Sequence, residues 1–122
     1  MYTRGIRGAT TVEHNDKQEI LDATRELLST IIAENGLVPE DIGYVFITVT
    51  SDLDAAFPAV AIRALDGWDL VPLMCALEVP VQGALPRCIR LMVTVNTTKS
   101  QKDMVHVYLN EAKSLRPDLA KR

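Results

Sequence analysis

The clearest pattern along the chain is a run of apolar residues at helical spacing. From Ile20 to Ile32 apolar side chains recur every three or four positions, as on an amphipathic helix. Asp16 followed by Glu19 forms a plausible capping pair before this run, and Gly36 supplies a left-handed stop after it. The pattern predicts a helix of about 20 residues and near 30 Å in length, long enough to cross a sheet.

Other segments have the composition of β-strands. Residues 44–50, with the sequence YVFITVT, are β-branched or aromatic almost throughout, which suits a strand buried on both faces. Further strands are predicted at residues 3–12, 71–79, 87–95 and 105–109. Pro58 suits the first residue of a short helix over residues 59–65, and a helical turn is expected at residues 111–115.

These elements predict an α/β or α+β protein, in which a mixed β-sheet packs on one long and one short helix. One long helix can cover only one face of such a sheet. Residues 44–50 and 89–95 look apolar on both sides, and the chain has no spare element for the second face. We therefore expect other copies of the chain to cover it in a homo-oligomer.

Composition places the chain among ordinary soluble domains. It has 122 residues, of which 48% are apolar and 24% charged, so we expect a single domain over residues 1–122 with a flexible tail at about 116–122. With a formal charge of −3, the chain has no overall positive field that could hold a polyanion, so nucleic acid is not expected to be a partner. Neither a signal peptide nor a membrane span of ~20 apolar residues is visible, which favours a cytoplasmic protein without membrane contact.

The sequence contains few signs of metal or cofactor chemistry. Cys75 and Cys88 are too few for a disulfide framework or a thiolate metal site, and His14 and His106 lack a third ligand at metal spacing. Nucleotide fingerprints, phosphate loops and nucleophile elbows are absent. We expect neither a metal nor a cofactor. Taken alone, Cys75 is most simply a buried apolar thiol.

Arg90 is the most informative charged residue. Alternation places it on one face of the strand predicted at residues 87–95, together with Cys88, Met92 and Thr94. A buried and unpaired charge costs several kcal/mol, so Arg90 needs an anion. Glu78 could supply it in a structural ion pair. Alternatively, Arg90 and Glu78 share a pocket in which the arginine faces a substrate oxygen and the carboxylate a hydroxyl.

Arg7 is the second candidate for anion binding. Gly5 and Gly8 flank the pair formed by Ile6 and Arg7 and would permit a ligand to approach the backbone; the simpler alternative is an edge arginine in solvent. The same four residues match the clamp of single-strand RNA-binding domains, but the flanking helices of that motif are missing. The candidate residues are thus arginines, one glutamate and one tyrosine, Tyr108, and none of them is an activated nucleophile. Such a set suits recognition of a small anion, either for binding alone or for a reaction driven by electrostatics.

Several short segments together resemble the monofunctional, sheet-containing chorismate mutases. They are RGIRGATTVE at residues 4–13, FPA at 57–59, CIR at 88–90, HVYL at 106–109 and LRPDL at 115–119. They occur in the family's order and spacing over nearly the whole chain. The resemblance implies a chorismate mutase-like, ferredoxin-like fold and a homotrimer built as a pseudo-α/β barrel, with active sites between subunits. It also implies conversion of chorismate to prephenate in phenylalanine and tyrosine biosynthesis.

The resemblance also implies roles for individual residues. Arg7 would bind a substrate carboxylate, Arg90 would reach the ether oxygen and a carboxylate, and Glu78 would accept a hydrogen bond from the ring hydroxyl. The other pocket residues implied are Tyr108 and the region of Cys75 in the polar lining, Phe57, Ala59, Leu73 and Leu115 in the walls, and Arg63 and Arg116 at the mouth. Val60 and Met74 depart from the lysine and the smaller hydroxyl residue that relatives can carry there, which affects secondary substrate contacts.

The reaction implied is a pericyclic rearrangement of one substrate, which requires no proton transfer, metal or covalent intermediate. Negative charge grows on the ether oxygen as its bond to carbon stretches, so a fixed guanidinium would bind the transition state better than the ground state. Two other interpretations keep the same residues. A non-catalytic trimeric carboxylate-binding regulatory module would bind without turnover, and a purely structural trimer would pair Glu78 only with Arg90.

Overall fold

The computed structural model describes residues 1–115. In this part of the chain a mixed five-stranded sheet is accompanied by two α-helices, which confirms the predicted fold class. The strands are β1 (Tyr2–Thr11), β2 (Ile42–Val49), β3 (Leu73–Leu77), β4 (Cys88–Thr97) and β5 (Val107–Tyr108); the helices are α1 (Lys17–Asn35) and α2 (Ala59–Arg63). Short 3₁₀ turns cover Pro39–Asp41, Gln101–Asp103 and Asn110–Ser114. None of the described helices has the length and apolarity of a bilayer span.

The order of strands across the sheet is β3-β2-β4-β1-β5. β4 is antiparallel to both of its neighbours, β1 and β2, while β3 is parallel to β2 and β5 is parallel to β1. Arg90 of β4 lies opposite Ala9 of β1 and Thr48 of β2, and Ala9 also lies opposite Tyr108 of β5. Because paired residues project to the same face, this register brings distant parts of the sequence to one patch of the sheet.

The long helix begins and ends where its caps were predicted. The Asp16 carboxylate accepts a hydrogen bond from the Glu19 N–H, and Gly36 adopts φ 60° with its N–H bonded to the Ile32 carbonyl. The buried face of α1 packs on the sheet core; its largest apolar members are Ile20, Leu27, Leu28 and Ile31.

Gly8 shows why α1 lies so close to β1. A Cβ atom at this position would sit 2.5 Å from Ile31 Cδ1 and 3.2 Å from Leu27 Cδ1. Only a residue without a side chain allows this approach. The Cβ side of Gly8 therefore faces the helix, while Gly8 also lines a cavity on the sheet beside Arg7.

Several predicted bounds were also wrong. The strand predicted at 71–79 is confined to Leu73–Leu77, after Pro72, which has no N–H to donate. The strand predicted at 105–109 has only two residues, and the turn predicted at 111–115 is the 3₁₀ segment Asn110–Ser114. Within one chain β2 is not buried on both faces, because Val45 and Ile47 are fully buried whereas Tyr44 and Phe46 are 50% and 37% exposed. The predicted flexible tail and Arg116 lie outside the described residues.

Candidate active site

The sheet has one covered face and one open face. The covered face packs against the helices, whereas the open face presents exposed apolar side chains that include Phe46, Met74 and Met92. Register puts these three side by side, since Phe46 lies opposite Met92 on one side and Met74 on the other. The next row of the same face contains Thr48 and Arg90. The charged residues singled out in the sequence thus project from an otherwise apolar surface.

Arg90 and Glu78 meet on this face. Glu78 follows the end of β3, and its N–H continues the ladder by donating to the Val49 carbonyl. This placement brings Glu78 Oε1 to 3.5 Å from Arg90 Nε, with the two side chains 23% and 47% exposed. The other carboxylate oxygen, Oε2, accepts a hydrogen bond from the Thr48 hydroxyl. The ion pair considered from sequence is therefore present, and it lies at a partly open position from which both groups can face a ligand.

Arg7 and Tyr108 complete the patch. A cavity of about 250 Å³ opens between them, and its lining consists of Arg7, Gly8, Ala9, Phe46, Thr48, Arg90, Leu91, Met92 and Tyr108. The backbone N–H of Arg7 donates to His106 Nδ1 at 2.9 Å, which ties β1 to the start of β5. Tyr108 is buried and packs with Ala9, Cys88 and Ala112, so it is both a core aromatic and a cavity wall.

Cys88 lies under the same patch and is fully buried. Burial raises the pKa of its thiol, an effect that the neighbouring Arg90 guanidinium only partly opposes. The thiol therefore stays protonated near neutral pH and is a poor nucleophile. What the patch offers is two guanidinium groups, one carboxylate and one phenol. That set can hold a small anion and stabilise developing charge.

A second group of predicted residues lies at the outer edge of the sheet. Phe57 and Cys75 line a separate groove of about 470 Å³ beside β3. Cys75 is exposed, so the simple interpretation of a buried thiol was wrong. Ala59 is buried and Arg63 is exposed, one at each end of α2, and Leu73 is half-buried at the start of β3.

The predicted residues thus fall into two groups. The open face brings together Arg7, Glu78, Arg90 and Tyr108, with Leu115 packed on the cluster around Tyr108 and Met74 farther along the same face. The edge group consists of Phe57, Ala59, Arg63, Leu73 and Cys75. Within residues 1–115, Arg7, Arg90 and Tyr108 line one cavity, and Phe57 and Cys75 line another. Within residues 1–115 there is also no cluster of three or more histidine, cysteine or acidic side chains suited to a metal ion.

Thr48 is the member of the patch that sequence reasoning missed. In the run YVFITVT a threonine is an ordinary strand former and carries no signal of its own. Alternation places it on the same face as Tyr44 and Phe46, but its position opposite Arg90 depends on the pairing of β2 with β4. His106 was likewise considered only as a metal ligand, whereas it accepts a backbone hydrogen bond from Arg7.

Comparison with known proteins identifies the relatives of this fold and site. A family model described as chorismate mutase type I matches residues 3–119. The chorismate mutase AroH of Bacillus subtilis is 50% identical over 120 residues, which cover 98% of this chain and 94% of the relative. The AroH protein of Thermus thermophilus is 51% identical over 117 residues, with 95% of each chain covered. A solved structure of a chorismate mutase from Clostridium thermocellum superposes with a TM-score of 0.87 at 52% identity, covering 90% of this chain and 97% of that one.

Proposed function

The chain belongs to the chorismate mutase type I family and is an isomerase with chorismate mutase activity; we propose that its open sheet face rearranges chorismate to prephenate without covalent catalysis. The observation that carries this assignment is the contact of Arg90 with Glu78 beside Arg7. The product serves aromatic amino-acid biosynthesis, and we place the enzyme in the cytoplasm.

Arg90 is the group that stabilises the transition state. As the carbon–oxygen bond of the substrate stretches, negative charge develops on the ether oxygen while a carbon–carbon bond forms. A guanidinium already held in place by a carboxylate 3.5 Å away does not have to reorient when this charge appears. Such a group binds the transition state more tightly than the substrate, which raises kcat.

Glu78 and Arg7 act on other parts of the substrate. Glu78 accepts a hydrogen bond from the ring hydroxyl and stabilises the complementary positive character of the ring. Arg7 binds a substrate carboxylate and holds the compact conformer from which the reaction proceeds. No step requires a nucleophile, which agrees with the buried and protonated state of the Cys88 thiol.

The complete site forms between subunits of a homotrimer. The open face leaves Tyr44, Phe46, Met74 and Met92 exposed at 50%, 37%, 66% and 38%, a surface that a second copy would cover. Within one chain, the groove lined by Phe57 and Cys75 is separate from the cavity lined by Arg7 and Arg90. Seating the edge group of one subunit against the open face of the next would join them in one pocket. Light scattering should then give three times the 13.5 kDa mass of the chain.

Activity itself is tested by following chorismate loss by ultraviolet absorbance and confirming prephenate as the product. Turnover by the wild type supports the proposal. Binding of prephenate without turnover would instead identify a carboxylate-binding regulatory module, and neither binding nor turnover would identify a structural trimer.

The shared site is tested by mixing two inactive variants. Arg90→Ala removes a residue of the open face, and Arg63→Glu reverses the charge of an exposed residue of the edge group. If each site takes one group from each of two neighbours, unfolding and refolding an equal mixture restores about a quarter of the wild-type sites. A mixture of Arg90→Ala with Glu78→Ala, both on the open face, is the control and should restore none. Equal recovery in the two mixtures would contradict the shared site.

A further inference from the structure

Thr48 occupies the centre of the patch. It lies on β2, between β4 with Arg90 and β3 with Ala76, and its backbone pairs with both residues. Glu78 follows β3 by one residue. The side chain of Thr48 therefore contacts Glu78 on one side, and on the other it lines the cavity together with Arg90 and Arg7.

The two oxygens of the Glu78 carboxylate have different partners. Oε2 accepts a hydrogen bond from the Thr48 hydroxyl, and Oε1 faces Arg90 Nε at 3.5 Å. An ionised carboxylate only accepts hydrogen bonds, so a hydroxyl donor and a guanidinium donor are both complementary to it. Contacts at both oxygens restrict the terminal torsion of the glutamate, which is otherwise broad.

We propose that Thr48 is a positioning residue for catalysis: its hydroxyl fixes the direction of the Glu78 carboxylate, so that the oxygen beside Arg90 faces the substrate. This inference rests on the proposed function. A threonine suits the task better than a serine, because its β-branch limits χ1 on a strand and keeps the hydroxyl in one direction. The order of activity expected at position 48 is therefore threonine, then serine, then valine.

The experiment measures kcat and KM of Thr48→Val and Thr48→Ser beside the wild type. Valine keeps the shape of the side chain and removes the hydrogen-bond donor. We expect kcat/KM to fall about 10-fold or more, because the Glu78 carboxylate loses a hydrogen bond that fixes its orientation toward the substrate. The loss should fall mainly on kcat, because the arginines that hold the substrate carboxylates are unchanged. Thr48→Ser should lose roughly 3-fold or less, since it retains the donor.

A matched control is Thr24→Val. The Thr24 hydroxyl likewise donates a hydrogen bond, to the Ile20 carbonyl at 2.7 Å, but Thr24 is fully buried and lies in α1 away from the cavity. Its loss should lower stability and leave kcat unchanged. Thr48→Ala replaces Thr48→Val should the valine variant fail to fold.

A double-mutant cycle with Glu78→Ala shows whether Thr48 acts through Glu78. In that background Thr48→Val should change kcat by less than about 2-fold, because the carboxylate that it positions is gone. The same loss in both backgrounds would overturn the proposal, and so would a Thr48→Val enzyme as active as the wild type. An inactive wild type would overturn the proposed function together with this role, whereas an active wild type with an unaffected Thr48→Val would overturn this role alone.

Discussion

Replacement of Arg90 by alanine separates a catalytic role from a structural one. The contact of Arg90 with Glu78 spans 3.5 Å between side chains that are 47% and 23% exposed. Ion pairs with this degree of solvent contact contribute about 0 to 1 kcal/mol to stability. Glu78 also keeps its hydrogen bond from Thr48 when the guanidinium is removed. The free energy of unfolding of Arg90→Ala should therefore fall by no more than about 1 kcal/mol.

The effect on catalysis should be much larger. Loss of one preorganised donor at a developing oxyanion costs about 2.7–4 kcal/mol of transition-state stabilisation, or 10²–10³ in rate. Arg90 also carries a full charge and is proposed to touch a substrate carboxylate, so this is a lower bound. The expected signature is a loss of kcat of at least about 100-fold in a protein of nearly wild-type stability.

The assay combines chorismate loss with urea unfolding of the same preparation. Arg25→Ala is the matched control, because Arg25 pairs with Asp22 at 3.4 Å on the surface of α1, with side chains 52% and 56% exposed. Its stability should change as little as that of Arg90→Ala, and its activity should not change. The reasoning is refuted if Arg90→Ala retains its activity, or if its loss of activity only follows a large loss of folded protein.

Further predictions concern residues around the site. Gly8→Ala places a Cβ 2.5 Å from Ile31 Cδ1 and should lower the free energy of unfolding, measured in urea, by about 1–3 kcal/mol. At Gly5 a Cβ would meet only Met92 Sδ, at 3.3 Å, so an equal loss of stability in Gly5→Ala would contradict this explanation. Burial raises the pKa of the Cys88 thiol above its ordinary value of about 9.0. Above pH 9.0 the unfolded chain therefore loses a thiol proton that the folded chain keeps, and the free energy of unfolding should fall as the pH rises. That fall should be weaker in Cys88→Ala, and equal slopes in the two proteins would contradict it. His106→Leu removes the acceptor of the Arg7 N–H and should raise KM several-fold through loss of a partly buried hydrogen bond. His106→Asn can still offer an acceptor, so its KM should rise less.

Local signals explain what could be predicted of the fold. The caps of α1 at Asp16 and Gly36 are contacts between residues near in sequence, and both were predicted correctly. The strands were found from β-branched runs, but their ends were not, because the length of β3 depends on its partner β2. Gly8 was recognised as a place of close approach, yet sequence cannot tell whether a ligand or α1 is the neighbour.

The candidate site could be predicted only in part for a similar reason. Arg90 stands out because a charge is unusual in an apolar strand, and its contact with Glu78 was among the expectations. Thr48 does not stand out, because threonine is common in strands and its place beside Glu78 depends on a non-local register. The roles proposed for these residues follow from the family resemblance, because the residues alone are equally compatible with binding of a small anion.

Assembly and catalysis should depend on each other in this enzyme. Guanidinium groups on an open face are screened by water, whereas the same groups in a covered site act at a much lower effective dielectric constant. The copy proposed to cover the open apolar residues would also exclude water from Arg7 and Arg90. Tyr44→Lys tests this coupling, because Tyr44 is 50% exposed and does not line the cavity. A lysine there should weaken assembly, lower specific activity in dilute solution and allow activity to recover as protein concentration rises, as mass action requires. A monomer as active as the wild-type assembly would show that the open face works uncovered.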